Sequence, residues 1–214
     1  MLTRLRKRKV GQRDVWDLIV NNDDVSFKHI LPRLNSNDVK FLYEVNSETR
    51  KLIKRSSRAG DLKKSFEVQE MSSISTLEFV WENKSLWPSN WSETKFCSRV
   101  AWTNKLEFLK WAREEKKCKW NKSTIEVAAF IGNLEMVKYC VAKKCPIDAW
   151  ACAEAAGNGH LEVLKYLREE AKAPWDGWSV FYALEKNQPE CVQYLFDNNC
   201  PLPPGWPYER GELS

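Results

Sequence analysis

The sequence has no run of about 18 or more apolar residues, so no transmembrane helix is expected. Its basic start, "MLTRLRKRKVGQRD", is not followed by the apolar stretch of a secretory signal peptide. The pattern CxxC does not occur, and His29 and His160 are the two histidines. The seven cysteines are therefore expected to be reduced thiols rather than metal ligands. These absences favour an intracellular protein, cytoplasmic or nuclear, that binds no metal.

The residue patterns of common catalytic sites are also missing. There is no glycine-rich phosphate loop, and no spacing of nucleophile, histidine and carboxylate follows a catalytic motif. His160 lies in a predicted turn, where a local hydrogen bond is the expected role. We therefore expect no enzyme, no catalytic residue and no cofactor.

The residues that are present have the composition of a globular protein, 43% apolar and 29% charged over 214 residues. Their charge is unevenly placed. Residues 1–64 carry 16 Lys and Arg against 8 Asp and Glu, a net of +8, and the remainder carries 18 against 21, a net of −3. These sum to the +5 of the whole chain. The split predicts two parts with different partners.

Four segments of the second part have nearly the same sequence. They are "AWTNKLEFLKWA" (101–112), "AFIGNLEMVKYC" (129–140), "AGNGHLEVLKYL" (156–167) and "LEKNQPECVQYL" (184–195). We align them on one anchor position per repeat, which adds a weaker first repeat. The anchors are spaced by 29, 28, 27 and 28 residues: Leu77, Leu106, Leu134, Leu161 and Pro189. A period in this range indicates a stacked array of helical repeats.

Each column of the alignment predicts local structure. Asn or Gly stands two residues before the anchor, where a left-handed residue would end a first helix. A glutamate follows the anchor, where it faces the positive end of a second helix. Apolar residues three and five positions after the anchor make a stripe at helical spacing. The prediction is an all-α solenoid of about five short repeats over residues 74–206, each a helix, a tight turn, a helix and a loop.

The segment "AAGNGHLEVLKYLREEAKAPWDGW" (155–178) resembles an ankyrin repeat, with small residues in a first helix and "GHLEV" opening a second. The resemblance implies a protein partner bound in a groove lined by the first helices. The period is shorter than the ankyrin period of about 33 residues. Connectors such as "KKCPIDAW" (143–150) are short. We therefore expect truncated loops in place of β-hairpin fingers.

The positions seven and four residues before the anchor vary in type, as a binding surface would. The candidate groove residues at these positions are Arg99, Trp102, Phe130, Glu154, Tyr182 and Glu185. The alternative is that they are solvated or fill gaps between repeats. Seven tryptophans in or beside connectors either pack between repeats or act as interface hot spots. They are Trp87, Trp91, Trp120, Trp150, Trp175, Trp178 and Trp206.

The N-terminal part predicts three short amphipathic helices over residues 23–55, and residues 21–58 resemble an F-box. The resemblance is carried by Ile30, Leu31, Leu34, Asp38, Val39, Leu42, Val45, Arg50 and Leu52. It implies docking on Skp1 of a cullin ubiquitin ligase, with candidate contacts Ile30, Leu31, Leu34, Val39 and Leu42, and with the repeats as substrate receptor. The family's leading Leu-Pro is missing, and Thr49 stands at its usual Trp position. The alternative is a stand-alone scaffold whose N-terminal helices only cap the repeat stack.

The other segments have weaker signals. "RLRKRK" (4–9), within the basic segment 1–20, is either a nuclear import signal or a solvated terminus. A nucleic-acid-associated protein is a third hypothesis, without the interleaved aromatic residues that would support it. Residues 59–73 are predicted to be a connector and 207–214 a tail. We expect a monomer.

Overall fold

The computed structural model describes residues 22–64, 67–71 and 73–205. The basic cluster 4–9, Trp206 and the predicted tail 207–214 lie outside this part of the chain. The chain divides into two compact units, residues 1–70 and 71–214. Over the described residues the structure is helical and contains no strand. The prediction of an all-α fold is confirmed.

The N-terminal unit is built from short helices: α1 (Val25–Ile30, a π-helix), α2 (Ser36–Val45) and α3 (Ser47–Arg55). The Asn35 side chain accepts a hydrogen bond from the Asp38 backbone N–H, and Asp38 accepts one from Asn35 in return. The same reciprocal cap opens α3, where Asn46 and Thr49 exchange hydrogen bonds. Two polar caps therefore fix where these helices begin.

The core of this unit consists of Leu31, Val39 and Ile53, with the side chains of Phe27, Leu34, Leu42, Tyr43 and Leu62 packed against it. The predicted connector 59–73 is largely part of the same unit. It contains the 3₁₀ turns Ala59–Lys63 and Val68–Glu70, and Asn37 Nδ2 donates a 2.6 Å hydrogen bond to the Glu67 carbonyl. Because 3₁₀ turns lack the 3.6-residue period, this stretch has no recognisable helical pattern.

The repeat unit contains the helices α4 to α12. Their bounds are α4 Ile74–Glu82, α5 Glu93–Ala101, α6 Leu106–Lys110, α7 Lys122–Ile131, α8 Leu134–Ala142, α9 Ala149–Gly157, α10 Leu161–Lys165, α11 Gly177–Glu185 and α12 Pro189–Asp197. Repeats two to five each supply a first and a second helix, and the second helix begins at the predicted anchor. Repeat one differs, because α4 is capped by Ser73 and begins three residues before Leu77. Glu78 therefore lies outside its first turn.

The predicted left-handed turns are confirmed in repeats two to five: φ is 58° at Asn104, 80° at Gly132, 74° at Gly159 and 53° at Asn187. A second set of left-handed residues follows the second helices. It consists of Lys117, Lys144, Lys172 and Asn199, with φ between 53° and 57°. The residue after each is buried: Cys118, Cys145, Ala173 and Cys200.

The alternation of the repeat length has a structural cause. Repeats two and four have one more residue between the anchor and the buried closing residue than repeats three and five. In these two repeats, α6 and α10 continue as π-helical turns, Trp111–Glu115 and Tyr166–Glu170. The wider turn accommodates the additional residue, so all four repeats close at equivalent positions.

The repeat core combines small residues in the first helices with larger ones in the second helices. Ala128, Ala129, Ala155 and Ala156 are fully buried, which lets neighbouring first helices approach closely. Leu109, Val137 and Leu164, three positions after the anchor, are also fully buried. The two helices of each repeat and the helices of its neighbours therefore share one continuous core.

Candidate functional site

The helices α5, α7, α9 and α11 pack side by side in that order. Their outward side chains form a continuous surface, which we call the first-helix face. It consists of Arg99, Trp102, Phe130, Trp150, Glu154, Trp178, Tyr182, Glu185 and Lys186. The candidate groove residues of the sequence analysis lie on these helices, except Trp102, which directly follows α5.

The turns that end the first helices are bonded from repeat to repeat. Asn133 Nδ2 donates a 2.7 Å hydrogen bond to Asn104 Oδ1, and His160 Nε2 donates a 2.9 Å hydrogen bond to the Phe130 carbonyl. The His160 ring lies over Gly132, where a Cβ atom would overlap with it. These contacts hold neighbouring first helices in register. The His160 side chain bonds to the preceding repeat rather than making the local hydrogen bond expected from the sequence.

Aromatic side chains connect across all four first helices. The ring centroids of Trp102 and Phe130 are 5.0 Å apart, and Lys186 Nζ lies 5.8 Å from the Phe130 ring and 5.9 Å from the Tyr182 ring. The Tyr182 ring lies 5.9 Å from Trp150. Trp150 stacks on Trp178, with centroids 6.3 Å apart and an interplanar angle of 18°. The result is a row of aromatic side chains from repeat two to repeat five, in which Lys186 links the Trp102–Phe130 pair to the group of Tyr182, Trp150 and Trp178.

Three tryptophans of this surface are open to solvent. Trp102 is 37%, Trp150 39% and Trp178 47% exposed. Among the described side chains, Val45 and Ile74 are the other exposed large apolar residues. Solvent-exposed tryptophan is thus confined to the first-helix face in this part of the chain. An exposed aromatic patch of this kind is typical of an interaction surface.

Three charged side chains of the face have no ion-pair partner among the described residues. Arg99 is half-buried, its Nε is buried without a hydrogen bond, and no described residue forms an ion pair with it. Glu154 is half-buried, and its carboxylate has no described partner, although its backbone carbonyl accepts from Asn158 Nδ2. Glu185 is exposed at the repeat-five end. The face therefore combines aromatic surface with unpaired charges of both signs.

Residues 125–202 match the family model for ankyrin repeats, in three copies. The matched range begins in α7 and ends just after α12, so repeats three to five are ankyrin repeats. Repeat two has the same helix pair and the same left-handed turn. Ankyrin repeats generally serve as protein–protein interaction modules, which supports such a role for residues 125–202. No curated protein and no solved structure matches the chain.

The ankyrin repeats have short connectors, as predicted. The tryptophans in or beside these connectors fall into two groups, one packed between repeats and one exposed. Arg113 Cζ lies 4.1 Å from the Trp120 ring, and Arg168 Cζ lies 4.4 Å from the Trp175 ring. Each of these tryptophans also meets a tyrosine of the next repeat edge-on, Tyr139 and Tyr194 respectively, at 6.2 Å. Trp120 and Trp175 therefore pack between repeats.

Trp150 and Trp178 belong to the exposed group because they lie at the second residue of α9 and α11. Asp148 and Asp176 cap these helices by accepting hydrogen bonds from the backbone N–H groups of the two tryptophans. The sequence signal was available, since Asp two residues before Trp indicates a helix N-cap rather than a loop. Lys186 was missed because its contacts reach across two repeats to Phe130.

The cysteines lie inside the repeats, and all seven are free and buried. Burial raises the pKa of Cys152 to about 12 and that of Cys191 to about 11. Three thiols donate to carbonyls at the start of their own repeat: Cys118 to Glu93, Cys145 to Asn121 and Cys200 to Asp176. These hydrogen bonds tie the end of each repeat to its start. The raised pKa values make Cys152 and Cys191 poor nucleophiles.

The candidate Skp1 contacts divide by burial. Leu31 and Val39 are 1% and 0% exposed in the core of the N-terminal unit, so they present no surface for a partner. Ile30, Leu34 and Leu42 are half-buried and keep some accessible surface. Thr49, which stands where an F-box usually has Trp, is buried in the cap of α3.

Over the described residues, no helix is long and apolar enough to span a bilayer. Within the same residues, no group of three or more His, Cys, Asp or Glu side chains is arranged to hold a metal ion.

Proposed function

We propose that the chain is a non-enzymatic interaction protein that binds a protein partner through its first-helix face. The observation that carries the proposal is the aromatic network of this face, with Trp102, Trp150 and Trp178 exposed at its surface. When a partner covers large aromatic side chains that were exposed to water, the complex is stabilised by about 25 cal/mol per Å² of buried apolar area. Tryptophan is also enriched among the residues that dominate interface energetics.

The alternative is that the candidate groove residues are solvated and bind nothing. The exposed tryptophans argue against this alternative, because polar side chains are expected on a face that contacts only water. In the second helices, the residues that face solvent are indeed charged, as in the ion pairs of Lys138 with Glu135 and Lys165 with Glu162. The two sides of the ankyrin stack thus differ in chemistry.

The proposal is tested by comparing partner capture by the full chain with capture by a Trp150→Ala/Trp178→Ala variant. Proteins bound from a lysate of the source organism are identified by mass spectrometry, and the main partner is then purified and titrated. We expect at least about a tenfold loss of affinity, since hot-spot truncations cost roughly 2 kcal/mol or more. Ile74→Ala is the matched control, because Ile74 is 37% exposed but lies on α4. Equal affinity of all three forms would refute the proposal.

We further propose that the N-terminal unit docks on Skp1, which would make the ankyrin repeats the substrate receptor of a ubiquitin ligase. The support is the F-box-like sequence together with a small helical unit that has its own core, Leu31, Val39 and Ile53. The half-buried Ile30, Leu34 and Leu42 are the candidates that keep accessible surface.

Co-expression with Skp1 tests this docking. An Ile30→Arg/Leu42→Arg variant changes accessible positions, whereas replacing Leu31 would disturb the core of the unit itself. We expect capture of Skp1 by the wild type and by Lys51→Glu, an exposed control on α3, and loss of capture in the double variant with its helical circular dichroism retained. Absence of capture by the folded wild type would leave the scaffold alternative, in which deletion of residues 1–60 destabilises the repeats.

A further inference from the structure

The unpaired charges of the first-helix face indicate the chemistry of the partner, an inference that rests on the proposed function. Arg99, Val127, Glu154 and Tyr182 occupy equivalent positions of α5, α7, α9 and α11. They form a row across the four helices. Arg99 and Glu154 stand on either side of Val127 without forming an ion pair with each other or with any other described residue. A row of this kind offers a cationic site and an anionic site separated by apolar surface.

The cationic site lies at the repeat-two end. Arg99 is half-buried, and its buried Nε has no hydrogen-bond partner, while its terminal nitrogens are not bonded by any described residue. Lys95, one turn earlier on α5, is exposed. The nearest acidic residue on α5, Glu93, is paired with Lys84 at 2.8 Å. A carboxylate of a partner would therefore meet unpaired positive charge here, beside the rings of Trp102 and Phe130.

The anionic site lies at Glu154. Trp150 precedes Glu154 by one turn of α9, Tyr182 occupies the equivalent position of α11, and their ring centroids are 5.9 Å apart. A lysine or arginine side chain of a partner that donates a charge-assisted hydrogen bond to the Glu154 carboxylate could also make a cation–π contact with these rings. Glu185 adds negative charge at the same end of the face, while the positive charge of Lys186 is engaged by Asn158 Oδ1 at 3.4 Å and by the Tyr182 ring.

The distance between the two sites sets the spacing of the partner's charges. Neighbouring packed helices lie about 8–10 Å apart, so the backbones at Arg99 and Glu154, two helices apart, are separated by roughly 16–20 Å. An extended chain rises by about 3.3 Å per residue, so roughly five or six residues cover this span. We propose that the first-helix face binds an extended segment of a partner protein that carries an acidic residue on Arg99, apolar residues on the aromatic surface, and a basic residue on Glu154.

Selection of random 12-residue peptides displayed on phage tests this proposal with the full chain as bait. We expect enrichment of peptides with an acidic and a basic residue about five or six positions apart and apolar residues between them. Arg99→Glu should select a base in place of the acid, and Glu154→Lys an acid in place of the base. Lys110→Glu makes the same charge change as Arg99→Glu on the exposed side of α6, and it should select the wild-type pattern.

The best wild-type peptide is then titrated by fluorescence anisotropy against each variant. We expect at least a tenfold weaker Kd for Arg99→Glu, and recovery when the peptide's acidic residue is replaced by lysine. Arg99→Gln removes the positive charge without adding a negative one, so it should weaken binding of the same peptide even if Arg99→Glu proves unstable. Thermal unfolding of every variant confirms that it is folded.

The outcomes separate this inference from the proposed function. One outcome is that the enriched peptides lack the charge pattern and yet no longer bind the Trp150→Ala/Trp178→Ala variant. This result would overturn the inference on partner chemistry and leave the proposed interaction face in place. The same holds if no peptide is enriched but a captured protein still depends on the two tryptophans. If peptides bind only after residues 206–214 are removed, the occupant of the face is this chain's own C-terminal segment. If the protein is a dimer in solution, the occupant is a second copy of the chain. Either result would also overturn the inference.

Discussion

Single residues in the turns decide how closely two ankyrin repeats can stack. Gly132 combines two demands, a left-handed φ of 80° and the His160 ring lying over its Cα. Gly159 has a similar φ of 74°, but the atoms above it belong to the end of the Gln188 side chain. The two glycines therefore allow backbone strain and steric overlap to be measured separately.

We predict that Gly132→Ala destabilises the protein more than Gly159→Ala. Both variants bear the cost of a left-handed alanine, about 1–2 kcal/mol. In Gly132→Ala the new methyl group also overlaps with an imidazole that is bonded to the Phe130 carbonyl, which adds roughly 1–3 kcal/mol. The Gln188 carboxamide can rotate away from the alanine at 159. Urea unfolding measures the two free energies, and equal losses would show that the His160 ring moves freely.

Glu126 is a residue whose charge is unfavourable in the folded protein. Its Oε1 is buried without a hydrogen bond. Burial raises the pKa of its carboxyl group, and the negative charge of Asp148 raises it further. Because the folded pKa lies above the unfolded one, the folded state binds the proton more tightly. This contribution to stability is complete below the unfolded pKa, near 4.3, and is lost as pH rises through the folded pKa.

We therefore predict that Glu126→Gln raises the melting temperature at pH 7, because it removes a buried charge that the fold disfavours. The difference from the wild type should shrink as pH falls and should vanish near pH 4, where Glu126 is protonated in both states. Melting curves by circular dichroism between pH 4 and pH 8 measure this. Glu115→Gln, at an exposed position, is the control. A pH-independent difference would mean that shape rather than charge decides the effect.

At the scale of the element, two connectors of this repeat stack share the same cluster of an arginine, a tryptophan and a tyrosine. One cluster lies where repeat two meets repeat three (Arg113, Trp120, Tyr139), and the other where repeat four meets repeat five (Arg168, Trp175, Tyr194). Tyr139 donates to Glu114 in the first cluster and Tyr194 to Glu169 in the second. In both, the arginine lies in a π-helical turn. The additional residue of the longer repeats thus brings an arginine over the connector tryptophan.

We predict a favourable coupling between Arg168 and Trp175. Trp175 is half-buried, so Trp175→Ala should cost less than the 3–5 kcal/mol typical of a core tryptophan. The double-mutant cycle with Arg168→Ala should give a coupling of about 0.5–1 kcal/mol from the cation–π contact. A cycle of Arg168→Ala with Trp178→Ala, which do not touch, should be additive. Coupling of equal size in both cycles would contradict the prediction that the Arg168–Trp175 contact is its source.

The helices and the first set of turns could be predicted because they depend on local chemistry. Asn and Gly at the turn and Glu in the next turn act within a few residues, and the structure has the predicted left-handed φ at Asn104 and Gly159. The left-handed Lys117 and Lys144 were not predicted, because lysine has no intrinsic preference for that conformation. Their backbone is imposed by the burial of the next residue, Cys118 or Cys145.

The candidate site could be predicted only in part for the same reason. Variable positions identified the helices that form the face, including Trp102 and Tyr182. Whether a tryptophan is exposed depends on its partners in other repeats. Trp175 has Arg168 over its ring, whereas Trp178 has other exposed rings beside it. Such contacts between repeats cannot be read from one segment of sequence.

At the scale of the whole molecule, a stack of repeats is stabilised mainly by contacts between neighbours. Repeat five contacts repeat four, while repeats three and four each have neighbours on both sides within the described residues. Opening repeat five therefore breaks one interface, and opening an internal repeat breaks two. The buried cysteines report on both events, because each reacts with an alkylating reagent only when its repeat opens.

We predict that a pulse of iodoacetamide below the unfolding midpoint labels Cys191 and Cys200 of repeat five before Cys140 of repeat three and Cys152 of repeat four. Each additional interface should contribute well over 1.4 kcal/mol, so the difference in labelling rate should exceed about tenfold. Mass spectrometry of the digested protein reads each cysteine separately. All seven are free and buried in the native fold, so labelling starts from a common protected state. One common rate for all seven would instead mean that the repeats open in a single cooperative step.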